Sequence, residues 1–136
     1  MTINYTNYKT KVKKISIHDD VLKSFEFDRE KKIIHLSVSK HNFHYNYTID
    51  FINVIGCSMS ACDFWGASER IFGIQHLEED KRVLLPLLET KWKSEDTLIK
   101  EYPYKNRFEV EILFVSGDFL NIACETIIVD DRIHST

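Results

Sequence analysis

Phe43-His44-Tyr45-Asn46-Tyr47-Thr48-Ile49-Asp50-Phe51 alternates, residue by residue, between aromatic or branched apolar side chains and polar ones. Side chains on a strand point to opposite faces in turn, so a period of two marks a strand with one buried face. On its N-terminal side, Ile34, Leu36 and Val38 alternate with His35, Ser37 and Ser39, and Phe25 and Phe27 share a face of residues 22–27. Asp28-Arg29-Glu30-Lys31 supplies the polar turn between those strands. Further upstream, Val12, Ile15 and Ile17 predict a first strand over residues 11–17, with Lys9, Lys11, Lys13 and Lys14 as its wet, protected edge.

The C-terminal third repeats the pattern. Phe108, Val110, Ile112 and Phe114 alternate with Glu109, Glu111, Leu113 and Val115. Ser116-Gly117-Asp118 then makes a turn, with Gly117 free to take positive φ. Leu120, Ile122, Cys124, Thr126 and Ile128 form one face of a returning strand over residues 119–129. In the middle, residues 53–59 continue the sheet, Phe64-Trp65-Gly66 suits a strand end or tight bend, and residues 70–77 predict another strand. Residues 78–88 have helical composition, but Pro86 is expected to kink any helix spanning it. Short helical turns are therefore expected before Pro86 or over residues 94–100, with Ser94 as a cap. Together these readings give a mainly β domain over residues 1–136, an antiparallel sandwich or curved barrel-like sheet with one or two short helical segments.

Composition sets limits on function. A chain of 136 residues, 43% hydrophobic, can bury a core without staples. The net charge of -3 and the lack of a clustered basic face argue against a nucleic-acid partner. No stretch approaches the roughly 20 apolar residues needed to span a bilayer, and residues 1–14 lack the apolar run of a secretory signal. A cytoplasmic protein with free thiols at Cys57, Cys62 and Cys124 is the expectation.

Catalytic motifs are not evident. Cys57 and Cys62 with His41 and His44 are zinc-type ligands, but the spacing offers no tight knuckle, and core cysteines are the simpler reading. His18-Asp19-Asp20 could act as a base or hold a hard cation. Between two apolar runs it suits a turn better, with carboxylates bonding nearby amides. Nothing predicts a metal, a cofactor or a catalytic residue, which points away from an enzyme. Surfaces remain. Trp65 and Trp92, with Glu95 and Asp96, have the chemistry of a protein contact, where aromatic anchors dominate and acidic groups steer. The alternatives are a small-molecule pocket lined by Phe43, Tyr45 and Tyr47 in a curved sheet, a metal- or Cys-dependent enzyme using the His18-Asp19-Asp20 turn or the Cys57/Cys62 pair, and a homo-oligomer pairing through exposed sheet edges.

Ile17-His18-Asp19-Asp20, Leu22, Phe25 and residues 33–38 begin the sheet, and residues 108–115, Ser116-Gly117-Asp118, Leu120, Ile122, Cys124 and Ile127 close it. These motifs resemble small bacterial β-rich families in which a His-Asp pair opens a sheet and a Ser-Gly-Asp hairpin joins the last strands. Some, such as the immunity protein 50 type, are assigned as guards of bacteria against polymorphic toxins. The resemblance implies a bacterial, cytoplasmic, non-enzymatic binder. It covers roughly the first 40 and last 30 residues, supplies no functional residues, and leaves residues 56–101 unmatched.

Overall fold

The computed structural model describes residues 1–42, 45–60, 70–94 and 103–134. One sheet has five strands, in the order β1 (Thr2–Ile3), β9 (Thr126–His134), β4 (Asn46–Ile52), β3 (Ile33–Ser39), β2 (Val21–Asp28). The other has four: β5 (Gly56–Met59), β8 (Phe119–Cys124), β7 (Phe108–Phe114), β6 (Ile71–His76). Every pairing between these strands is antiparallel. With helices α1 (Tyr8–Lys11) and α2 (Leu84–Ser94), this is an antiparallel sandwich with short helices and no closed barrel. No helix among the described residues is long and apolar enough to cross a membrane.

A two-stranded ribbon carries the chain from one sheet to the other. β4 pairs with β9, and β5 pairs with β8. At the corner Asn53 turns left-handed (φ 52°), a conformation its short polar side chain tolerates. Two amides hold the bend, Ile55 N donating to Ala123 O at 2.9 Å and Glu125 N to Ile52 O at 3.1 Å. The corner also corrects the expected phase of the last strand. Ile122 and Cys124 face the core, but past Glu125 it is Ile127 and Val129 that are buried, while Ile128 is 40% exposed. An uninterrupted period of two cannot anticipate a strand that changes sheets.

The opposite side of the sandwich is joined where Val21 bridges Arg70. The Asp19 amide donates to Ile71 O and the Ile71 amide to Asp20 O, both at 2.8 Å. In the core, Ile34, Leu36, Ile49 and Phe51 of the first sheet meet Val110, Ile112 and Ile122 of the second.

Residues 11–17 are not a strand, contrary to the sequence expectation, but part of a strap over residues 4–17. The strap forms α1 and a 3-10 turn (Val12–Lys14), and packs its apolar side into the core beside β6. Tyr8, Val12 and Ile15 are buried, at spacings of four and three. That is a helical stripe with the lysines on the wet side. Tyr8 stacks on Phe108 with ring centroids 4.6 Å apart and planes 5° from parallel.

Pro86 does not break the helix either. It is the third residue of α2, in the first turn, where an N–H would find no intrahelical acceptor. The three amides just before it need a partner, and Glu109 of β7 provides one. Its carboxylate accepts from Val83 N at 2.9 Å, Leu84 N at 3.0 Å and Leu85 N at 3.0 Å, in full burial. Glu109, which the alternation puts on the face away from Phe108 and Val110, is the cap of α2. The helix also needs close approach to β5, where a Cβ on Gly56 would meet Leu88 Cδ1 at 3.4 Å.

Glu109→Ala leaves those amides buried at the positive end of the helix dipole, and is expected to cost about 3 kcal/mol. Urea unfolding of the variant checks this; a loss under about 1 kcal/mol would show that water replaces the cap.

Candidate functional site

Two places on the sandwich gather chemistry, and both lie against the strap. The first is built around Asp20, which follows the strap and is fully buried. Its Oδ2 accepts from the Tyr47 hydroxyl at 2.5 Å and from Lys40 Nζ at 3.3 Å, and its Oδ1 accepts from the His41 amide at 2.8 Å. Lys40 also donates to Ser16 O at 2.7 Å and Ser16 Oγ at 3.2 Å, and its ammonium lies 5.8 Å from the Tyr47 ring centroid. Burial, then the bond to Asp20, raises the Tyr47 phenol far above the ordinary range for tyrosine. Residue by residue, the network is closed: the three protons of Lys40, the hydroxyl of Tyr47 and both oxygens of Asp20 are all engaged. It fastens the strap to the β3–β4 hairpin.

Beside this knot opens a cleft of about 300 Å³, lined by Lys14, Ile15, Ser16, Lys40, Tyr45, Tyr47, Met1, Val129 and Asp131. Two residues of the expected aromatic pocket, Tyr45 and Tyr47, are thus brought together. Tyr47 is buried in the core with its hydroxyl committed to Asp20, and Tyr45 packs against the same core, so the cleft meets only their edges. Phe43 lies outside the described residues.

The second place centres on Tyr5, which is 47% exposed. It lines two clefts, of about 240 Å³ and 360 Å³, that share Asn106 and Arg107. The smaller one is also walled by Arg82, Pro86 and Tyr104. Tyr5 is backed by Tyr8 at 5.8 Å, which is stacked in turn on buried Phe108. Arg82 is anchored by donating to Tyr8 Oη at 3.1 Å and to Leu77 O at 3.3 Å. Arg107 pairs with Glu125 at 2.9 Å and donates to Lys105 O at 2.7 Å. Sequence reasoning missed this surface because its members come from the strap, the approach to α2 and the approach to β7. Along the chain Tyr5 sits between Asn4 and Thr6, with no apolar period or charged neighbour to single it out.

Other expected contact residues fare differently. Trp65, Glu95 and Asp96 lie outside the described residues. Trp92, on α2, is partly buried, with its indole nitrogen shielded from water. His41 is exposed, His44 and Cys62 are outside the described residues, and no group of three metal-ligating side chains occurs among those described. Cys57 is exposed at the edge of the second sheet, yet enough protein surrounds its thiol to push it up to about 11. Burial drives the Cys124 thiol higher still. Neither is an activated nucleophile. In the His18-Asp19-Asp20 turn, His18 Nδ1 bonds Phe72 O at 2.7 Å and Asp19 has φ 68°, while Asp20 points inward.

No protein-family model matches this chain, and no curated protein matches it. The immunity-type resemblance rests on its short motifs alone.

The knot around Asp20 gives graded expectations. Tyr47→Phe removes one bond to a buried carboxylate and should cost about 1.5–3 kcal/mol. Lys40→Met strands the charge itself and should cost about 3–5 kcal/mol. Chemical denaturation ranks the two; equal, small losses would mean that the carboxylate is not held as described. Separately, in a Cys62→Ser background, Cys57 should react slowly with an aromatic disulfide reagent near neutral pH, because its thiolate is scarce there. Rapid reaction under those conditions would show an activated thiol.

Proposed function

We propose that the chain is a non-enzymatic binding module that occludes a site on a partner protein, in the manner the immunity-type resemblance implies. A bacterial, cytoplasmic setting belongs to the same proposal. Its main support is the position of Tyr5, exposed between two joined clefts with Arg82, Tyr104 and Arg107 around it. Binding energy at protein interfaces concentrates in Tyr, Trp and Arg seated beside pockets. Rigid aromatic anchors contribute most because little conformational freedom is left to lose. The Tyr5–Tyr8–Phe108 ladder supplies that rigidity from the core outward. The buried carboxylates favour the same reading, since Asp20 and Glu109 are engaged in holding the fold and neither is left to move a proton.

The test is affinity capture of the tagged protein from its native cells, followed by titration of the purified pair. Tyr5→Ala should weaken binding about 30-fold or more, equivalent to about 2 kcal/mol, with an unchanged melting temperature. An affinity unmoved by that substitution would place the contact elsewhere, and absence of any stable partner would remove the reading.

A further inference from the structure

We propose that the cleft beside the Asp20 knot is a binding site for a small zwitterion, a free α-amino acid with an apolar side chain. Some polar groups in the cleft are already committed. Lys40 donates its three protons to Ser16 O, Ser16 Oγ and Asp20, and the Tyr47 hydroxyl is held by Asp20. Neither can bond a ligand without breaking the knot. Four groups lining the same cleft keep free capacity among the described residues: the Lys14 ammonium, the Met1 ammonium beyond its bond to Val129 O at 2.9 Å, the Asp131 carboxylate, and the hydroxyl proton of Ser16, whose oxygen only accepts. No ion pair among the described residues joins Asp131 to Lys14 or to the Met1 ammonium, so two cations and one anion line a shared space without pairing. Ile15, Tyr45 and Val129 add an apolar wall.

An α-amino acid matches that set. Its carboxylate suits Lys14 and the Ser16 hydroxyl, its ammonium suits Asp131, and its side chain would lie on the apolar wall. At about 300 Å³ the cleft is small, at the bottom of the roughly 300–1,000 Å³ range of ligand pockets. The size favours a compact ligand over a nucleotide or cofactor. The Lys40–Ser16 and Lys40–Asp20 bonds fix the backbone that carries Ser16, so the ordering that binding costs falls mainly on the Lys14 side chain. None of these residues belongs to the Tyr5 surface, and either site can exist without the other.

The experiment is calorimetric and NMR titration of the full chain with leucine and phenylalanine. Each is compared with its N-acetyl form, which lacks the ammonium, and its amide, which lacks the carboxylate. Saturable binding of a free amino acid, with shifts at the Lys14, Ser16 and Asp131 amides, is expected. Each blocked form should bind about tenfold more weakly or worse, and so should Lys14→Met and Asp131→Asn, which alter exposed residues and leave folding intact. No saturable binding at millimolar ligand, equal binding of the blocked forms, or binding indifferent to both substitutions would overturn the proposal.

Discussion

A carboxylate with no access to water has to be satisfied where it stands, and Asp20 imposes that demand on everything around it. Burying an unpaired charge costs far more than a small domain's net stability. Asp20 therefore requires the Tyr47 hydroxyl, the Lys40 ammonium and the His41 amide together. Those partners come from β4 and from the turn after β3, whereas Asp20 follows the strap. The charge thus fixes how the strap meets the first sheet, and Lys40 extends the tie to Ser16. The cleft lined by Lys14, Ser16, Tyr45 and Asp131 exists because that wall is held.

Glu109 solves a parallel problem on the second sheet. Its carboxylate takes up amides at the start of α2, and the helix then covers the outer face near Gly56. Most residues of β7 and β8 are buried on both faces as a result. Two buried acids thus attach the two non-sheet segments to a sandwich whose core is otherwise largely apolar. Both attachments also shape surface: the strap presents Tyr5, and the approach to α2 presents Arg82 and Pro86 beside it.

Much of this fold was legible because alternation is a direct imprint of a half-buried sheet. Ile34, Leu36 and Val38, Tyr47, Ile49 and Phe51, and Val110, Ile112 and Phe114 all face the core as their period of two requires. The Ser116-Gly117-Asp118 turn also forms, with Gly117 at φ 91°. What was not legible is long-range. Tyr8, Val12 and Ile15 bury along a helical stripe too short to outweigh an alternating reading of the lysines. Pro86 is harmless only because it falls in the first turn, and that turn starts where it does because Glu109, 25 residues beyond Leu84, receives its amides. Asp20 read as a turn acid, and its burial depends on Tyr47 and Lys40 folding back to it. The Tyr5 surface joins three separated parts of the chain and had no local signal.

Whether the Asp20 carboxylate holds the strap over the sandwich can be read from native-state hydrogen exchange on Asp20→Asn, set against the parent protein. If it does, the protected amides of residues 8–17 exchange together and about a hundredfold faster or more, as a local opening of a few kcal/mol, while the amides of β7 and β8 change only with global stability. Unchanged protection in residues 8–17 would contradict this, because the strap would then be held by apolar packing alone.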